Sequence, residues 1–314
     1  MNRPEISVVM PVYNGERHLK ESIDSIINQS FVDFEFIIVN DGSKDLTKEI
    51  IESYCDPRIR LFNIDNIGLA AALNFGISKS QTDLIARMDA DDISDVLRLE
   101  KQYLFMKKNK EFVLIGTGAR EIDMFGTFIY ERNVISDWKN IKQFFPKSPF
   151  VHPSVMLRKK TFLDAGMYPV FLSRGEDTVL FNRMSRFGKM DNLKDSLLSY
   201  RITDSSLSDR NKENQKFING LVLKTIDGIP LTNEDKDLHS QIIKQKGTKS
   251  RKFLYHIYIS KKYLWNNFDR KRALSHLFSA MKLKFFSLEL FTLLILTLMP
   301  SIVVKFLYSK VKNE

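Results

Sequence analysis

Short apolar runs and helical spacings alternate along the first hundred residues. Ile6–Val12, Phe34–Val39, Ile59–Phe62 and Leu84–Met88 are brief, rich in β-branched and aromatic residues, and bounded by turn formers, which predicts strands. Between them Leu19, Ile23, Ile26 and Ile27 recur at helical spacing, and Leu69–Ile77 (LAAALNFGI) predicts a second helix. Strands that are apolar throughout, alternating with helices, predict a parallel sheet covered on both faces. Ligands bind beyond the carboxyl ends of the strands in such sheets. The polar residues to follow are therefore Tyr13-Asn14, Asn40-Asp41 and Asp89–Asp92.

The pattern changes after a helix near Asp95–Lys108. Phe112–Arg120 and Thr127–Asn133, joined around Phe125-Gly126, read as a hairpin. Val151–Arg158 and Lys189–Arg201 read as strands on either side of a helix that begins near Glu176. From about residue 211 the chain reads as wholly helical. Residues 252–283 predict two short antiparallel helices meeting near Asn267–Asp269, with Ala273, Leu277 and Ala280 on one face.

Composition adds little to this picture, but charge adds more. The 314 residues are 43% apolar with both charge signs well represented, as in a globular protein. Cys55 is the single cysteine, so no internal disulfide framework is possible, which fits a reducing compartment. The opening MNRPEISVVMPVYNGE has no apolar core long enough for a signal peptide, so a cytoplasmic location is expected. Residues 1–217 hold 31 basic and 31 acidic side chains, whereas residues 218–314 hold 17 and 7, so the whole net charge of +10 lies in the last third. A basic tail attracts phosphate, in nucleic acid or in anionic lipid. The apolar segment beside it favours lipid, and none of the usual nucleic-acid motifs is present, so no nucleic-acid partner is expected.

Four clusters carry candidate chemistry. Arg87-Met88-Asp89-Ala90-Asp91-Asp92 closes a strand with three acids, and carboxylates so close repel unless a cation lies among them. Hard divalent ions prefer such oxygens and still accept substrate phosphates. The plainer alternative is a helix N-cap at Asp92. Val39–Ser43 (VNDGS) ends another strand, suited either to the donor groups of a base or ribose or to Ser43 capping the next helix. Asn66-x-Gly68 through Asn74 is a turn and helix start that ordinary packing of small residues also explains. Arg174-Gly175-Glu176-Asp177 opens a helix, where a carboxylate either accepts a sugar hydroxyl's proton as general base or simply suits the helix terminus.

Taken in order, these pieces resemble glycosyltransferase family 2, the inverting enzymes of GT-A fold. The resemblance is carried by Ser7–Asn14 (SVVMPVYN), Gln29-Ser30-Phe31, Phe34–Ser43 (FEFIIVNDGS), Asn66–Asn74, Ala86–Asp92 (ARMDADD), Arg98–Gln102 (RLEKQ), His152-Pro153-Ser154, Glu176-Asp177 and Tyr200-Arg201, spread over residues 5–207. It implies an α/β GT-A fold, a mostly parallel sheet flanked by helices. Residues 1–110 would form the nucleotide-sugar half, 111–210 the acceptor half, and 211–314 a helical, membrane-associating extension. Pro11, Tyr13, Asp41 and Asn66 then look like the nucleotide pocket, with Asp41 facing the uracil edge. Asp91 looks like the direct ligand of Mn²⁺ or Mg²⁺, and Asp89, in the same pair, sits nearer the ribose. Asp177 looks like the catalytic base, and His152, Glu176 and Arg201 like acceptor-side or phosphate-side residues.

Three departures qualify the resemblance. Asn40 stands where an acid is common, and Thr203 where many relatives carry His, which puts an auxiliary ligand from that loop in doubt. The Q-x-x-R-W motif of processive polymer synthases is missing, and Asn182-Arg183-Met184 is its nearest remnant. A non-processive transferase is expected. Its implied donor is a UDP-hexose, glucose or galactose ahead of N-acetylhexosamine. Its implied acceptor is a sugar on undecaprenyl diphosphate, extended through a β-linkage in O-antigen or capsule repeat-unit synthesis. The alternatives are a polyprenyl-phosphate sugar synthase and a catalytically silent binding module. The intact Asp89, Asp91 and Asp177 argue against silence, and nucleotidyl transfer lacks its Gly-rich basic loop.

Phe285–Tyr308 is the most apolar stretch. Its 15 uncharged residues from Leu290 to Val304 fall short of the ~20 that span a bilayer, and Pro300 should end or kink the helix. Basic residues flank both sides (Lys282 and Lys284; Lys305, Lys310 and Lys312), so no asymmetry orients a span. In-plane or re-entrant contact with the inner face of the cell membrane is expected, ahead of a true span or a buried helix. A lipid-linked acceptor, whose tail stays in the bilayer, would be met there.

Overall fold

The computed structural model describes residues 3–204, 212–244, 248–267, 269–300 and 302–304. Its first half alternates as the sequence predicts. The elements are β1 (Ile6–Val12), α1 (Leu19–Ile27), β2 (Phe34–Asp41), α2 (Thr47–Glu52), β3 (Ile59–Ile64), α3 (Leu69–Ser78) and β4 (Leu84–Arg87). There follow β5 (Ile93–Ser94), α4 (Arg98–Lys108), β6 (Phe112–Ile122), β7 (Phe128–Arg132), α5 (Trp138–Lys142), β8 (Met156–Arg158), α6 (Lys159–Asp164), α7 (Glu176–Met184) and β9 (Lys189–Arg201). The rest is helical: α8 (Lys212–Ile226), α9 (Asn233–Lys244), α10 (Thr248–Lys262), a π-turn at Tyr263–Asn267, α11 (Arg270–Leu283) and α12 (Leu288–Leu298).

The sheet runs β3-β2-β1-β4-β8-β6-β9-β5, with β7 paired to β6. β1 pairs in parallel with β2 (Val12 opposite Asn40) and with β4 (Val9 opposite Arg87), and β2 with β3. Every residue of β1, β2 and β4 is buried, as strands covered on both faces require. Alternate residues serve opposite faces. Ile6, Val8 and Met10 pack with Leu19, Ile23 and Ile26 of α1, while Val9, Ile37 and Val39 pack with Ala70, Leu73 and Ile77 of α3. Each such side chain, wholly removed from water, contributes about 1.5–3 kcal/mol. This double packing aligns the carboxyl ends of β1, β2 and β4.

β8 runs antiparallel to both β4 and β6, which ends the parallel half. The strand expected over Val151–Arg158 is shorter than that. His152–Ser154 forms a 3₁₀ turn, with Pro153 removing a donor from the ladder, and pairing begins only at Met156. The hairpin expected around Phe125-Gly126 is present, with Gly126 in the left-handed region.

The chain forms two compact units that interleave in sequence. The first comprises residues Met1–Ala119, Arg132–Tyr200 and Arg210–Ile242, the second Arg120–Glu131, Arg201–Asp209 and Ile243–Glu314. Packing therefore groups α8 and α9 with the first unit: Leu221 and Val222 form a small core with Leu172 and Val179 of the α7 region. The second unit gathers the hairpin tip and α10–α12. Asp123 receives the N–H groups of Phe125 and Thr127 and the hydroxyl of Tyr263, while Tyr255 Oη accepts the Met124 N–H. The expected helix pair meets at the π-turn, Asp269 caps α11, and Ala273, Leu277 and Ala280 are buried on one face.

α12 is apolar on opposite sides. Leu290, Leu293 and Thr297 are buried, whereas Leu288, Phe291, Ile295 and Leu298, spaced three and four apart, are exposed. Phe285 and Phe286 extend the exposed stripe, and the helix stops before Pro300. Among the described residues no helix is long and apolar enough to cross a membrane. Lys305, Lys310 and Lys312 lie outside the described residues.

Candidate active site

The carboxyl ends of the parallel strands hold the first group of expected residues. Pro11 is buried in β1, and Tyr13, just beyond its end, is half exposed. Ser43 is not a helix cap, because α2 starts at Thr47 and Ser43 Oγ accepts the Asn14 N–H at 2.9 Å. Asp41 ends β2 and is 3% exposed. Its Oδ1 accepts the Ile67 N–H at 2.7 Å and its Oδ2 the Gly68 N–H at 2.9 Å. Gly68 has φ +85°, a conformation that side chains resist, and this turns both N–H groups onto one carboxylate. Asn66 donates its side-chain amide to the Asp41 carbonyl at 2.9 Å. The Asn66 turn and Asp41 thus form one unit, with a lone pair left on each carboxylate oxygen.

The second group follows β4. One carboxylate oxygen each from Asp89, Asp91 and Asp92 lies within 4.8 Å of the others. This hard oxygen set fits a divalent cation. Asp92 does not cap α4, which starts at Arg98; Asp92 is fully buried and precedes β5. Asp89 pairs with the buried Arg87, Nη1 to Oδ2 at 2.6 Å. Beneath the loop, the fully buried Arg98 donates to the Arg87 carbonyl and, at 3.2 Å, to Gln102 Oε1. Burial and the like charge of Arg87 push Arg98 down to about 9. Gln102 in turn donates to the Ile115 and Ser154 carbonyls, and Gln29 to the Asp95 carbonyl. These residues of the Gln29 and Arg98–Gln102 segments, to which the sequence assigned no role, are the scaffold of the acidic loop. Tyr200 keeps its hydroxyl proton, because burial and the charges of Asp92, Asp89 and Asp91 raise it.

The third group surrounds the start of α7. Gly175, at φ +80°, has no room for a Cβ, which would fall 2.6 Å from Val222 Cγ2. Glu176 and Asp177 are the first two helical residues. Burial first, then the neighbouring Asp177 charge, raises Glu176 to about 7. Burial raises Asp177 too, against the pull of the Thr178 N–H at 2.7 Å. His152 Nδ1 stands 3.9 Å from Glu176 Oε1, and its Nε2 is 2.8 Å from Tyr168 Oη. Burial, then Arg87, holds His152 well below the usual imidazole range, so it is neutral. Arg201 belongs to the second unit, where it is buried with Nη1 3.5 Å from the Asp123 carbonyl.

Arg87 joins the last two groups. It is ion-paired with Asp89, and its charge lowers the proton affinity of Glu176, Asp177, His152 and Tyr168. A charged residue ending an apolar strand is the sequence signal for this role of Arg87. Tyr168 carried no signal, since its partners lie far away in sequence.

The chain is similar to known proteins in sequence and in fold. Residues 7–166 match the sequence family described as "Glycosyl transferase family 2". The O-antigen biosynthesis glycosyltransferase WbnJ of Escherichia coli is 37% identical over 208 residues, 64% of this chain and 81% of that protein. Staphylococcus aureus TarS (residues 1–349), solved with UDP-GlcNAc, superposes with a TM-score of 0.59 at 15% identity, over 88% of this chain and 90% of that one. The mannosyltransferase PcManGT of Pyrobaculum calidifontis, solved with GDP-Man and Mn²⁺, gives 0.51 at 14% identity, over 98% and 85%. The fold is the GT-A fold of these transferases, as the family resemblance implies.

Proposed function

This chain belongs to glycosyl transferase family 2 and is a glycosyltransferase, and on that footing we propose that it moves a hexose from a UDP-sugar, glucose or galactose, onto a sugar carried by polyprenyl diphosphate. The reading fits the name of the E. coli relative, an O-antigen enzyme, and the UDP-sugar bound by TarS. The observation that carries it is the pairing of two acidic groups around Arg87: Asp89, Asp91 and Asp92 beyond β4, and Glu176 with Asp177 at the start of α7. We assign residues 1–110 to the nucleotide sugar, 111–210 to the acceptor and 211–314 to membrane association.

In the reaction proposed, Pro11, Tyr13, Asp41 and Asn66 hold the nucleotide, and Asp89 lies toward the ribose. Asp91 and Asp89 would hold Mn²⁺ or Mg²⁺, which supplies positive charge opposite the diphosphate. Asp177 takes the acceptor hydroxyl's proton as that oxygen bonds to the anomeric carbon. The bond from that carbon to the diphosphate breaks on the far face, and UDP leaves. One displacement inverts the centre, giving a β-linkage from an α-linked donor.

The tail supports the reading that the protein works at the inner membrane surface. The exposed stripe of α12 and the exposed Lys282 and Lys284 would meet an anionic leaflet together. The deciding experiment offers full-length protein a panel of nucleotide sugars and lipid-linked acceptors, with Mn²⁺ or with EDTA. Transfer from a UDP-hexose is expected, falling at least ~10³-fold in EDTA, with a β-linkage by NMR. Full turnover in EDTA would remove the metal from the mechanism, and an α-linked product would remove the single displacement.

A further inference from the structure

Three hydrogen-bonding side chains lead to Glu176 without being required by the transfer itself. Asn74, in α3, clamps Tyr168 by its main chain: Oδ1 accepts the Tyr168 N–H at 3.1 Å and Nδ2 donates to the Tyr168 carbonyl at 2.9 Å. Tyr168 sits in the irregular segment between α6 and α7, so this two-point grip substitutes for a ladder or helix. Its ring is fixed on both sides, by Phe162 at 5.5 Å and His152 at 5.4 Å between centroids. Its hydroxyl reaches His152 Nε2 at 2.8 Å.

Either group can donate in that bond, and the Glu176 carboxylate facing Nδ1 favours the ring proton there, which leaves Nε2 to accept from Tyr168. Burial makes the Tyr168 hydroxyl keep its proton, and burial also keeps His152 neutral. A neutral imidazole has one N–H and one lone pair. If Tyr168 donates to Nε2, the ring proton lies on Nδ1, the nitrogen turned toward Glu176 Oε1 at 3.9 Å. That distance is too long for a direct hydrogen bond. It suits a third oxygen: a hydroxyl at ordinary hydrogen-bond distance from both atoms completes a triangle with them. Both side chains keep a little open surface, 11% for His152 and 9% for Glu176.

We propose that Asn74 and Tyr168 are positioning residues that set His152 as the Nδ1–H tautomer, making His152 and Glu176 a donor–acceptor notch for one hydroxyl of the acceptor sugar. This rests on the transferase reading for the identity of the occupant, but not for the tautomer. In the notch His152 donates to the hydroxyl oxygen while Glu176 accepts its hydrogen, beside the base Asp177.

Two measurements test it. Nitrogen-15 NMR of full-length, histidine-labelled protein reads the tautomer directly, with the His152 signals assigned by their loss in His152→Gln. The wild type should show Nδ1–H, and Tyr168→Phe, which keeps the ring and removes the donor, should lose that preference. An Nε2–H form in the wild type would overturn the positioning, whatever the activity. Kinetics supply the second arm: Tyr168→Phe should raise KM for the acceptor roughly ten-fold, as expected for one misaligned hydrogen bond, and leave KM for the donor unchanged. Equal changes in both constants, or none, would overturn the notch. Asn74→Ala, which removes the grip on the Tyr168 main chain, should weaken the same Nδ1–H preference, and should it fold poorly, Tyr168→Phe still decides the case. An Nδ1–H signal in a protein that transfers no sugar would instead sink the transferase reading alone.

Discussion

Glu176 and Asp177 are neighbours with unequal surroundings. Asp177 is held by the N–H and hydroxyl of Thr178, while Glu176 is the more deeply buried and faces a neutral imidazole. If Asp177 is the base, Asp177→Asn keeps its shape, binds nucleotide sugar normally and transfers ~10²–10⁴-fold more slowly. A single-turnover assay checks this, and the opposite result, with Glu176→Gln slow and Asp177→Asn fast, would exchange their roles. Glu176 also makes stability depend on pH. It titrates near 4.5 in an unfolded chain and at about 7 in the folded one. Below about 4.5 both states hold the proton; between about 4.5 and 7 the unfolded state releases it while the folded state keeps it, so stability falls across that window and levels off above it. Glu176→Gln should therefore melt progressively higher than wild type from about pH 5 to pH 7, with the gap constant above that, by about 2–4 °C for each kcal/mol relieved. Parallel melting curves would refute the raised proton affinity.

At the level of elements, the parallel half was legible because β1, β2 and β4 bury every residue, which leaves uninterrupted apolar runs. The apolar pattern predicts too long a β8, since Val151 and Val155 flank a 3₁₀ turn that no periodicity announces. The motif at each strand end could be read locally, but its connections could not: Asn74 and Tyr168 are 94 residues apart, and only the packing of α3 beside the α6–α7 segment unites them. The same holds for the acidic loop, where the cap-like Asp92 is fully buried before β5 and opens no helix. The turn into α3 offers a direct test. Gly68→Ala forces a side chain into φ +85°, costing about 1–3 kcal/mol and turning N–H groups away from Asp41. Calorimetry should show weaker UDP binding in a folded variant, and undiminished affinity would mean the clamp does not shape the nucleotide pocket.

For the whole molecule, the uneven charge and the two-sided α12 belong together. The apolar stripe contributes a salt-insensitive attraction of about 25 cal/mol per Å² buried. Each basic residue near an anionic leaflet adds ~1 kcal/mol, screened over about 10 Å at moderate salt. The full chain should sediment with vesicles containing anionic lipid, partly resist salt, and come off in mild detergent. Leu288→Glu with Ile295→Glu leaves the buried Leu290 and Leu293 untouched, and should abolish sedimentation without lowering the melting temperature. Retained sedimentation would exclude the stripe as the contact. A second copy is a poorer occupant, since an 11-residue helix is ~16 Å long and offers too little area for a stable dimer.

Helix α12, lying flat with half its circumference bare, would turn catalysis into an event on a sheet rather than in a volume. An enzyme so held searches for its acceptor by lateral diffusion and meets it at a frequency fixed by crowding within the leaflet. Velocity should then follow the mole fraction of acceptor among the lipids, and diluting it with inert phospholipid at constant total acceptor should slow the reaction. With Leu288→Glu and Ile295→Glu that dependence should disappear. A wild-type rate indifferent to such surface dilution would show that the bare stripe does not govern how enzyme and acceptor meet.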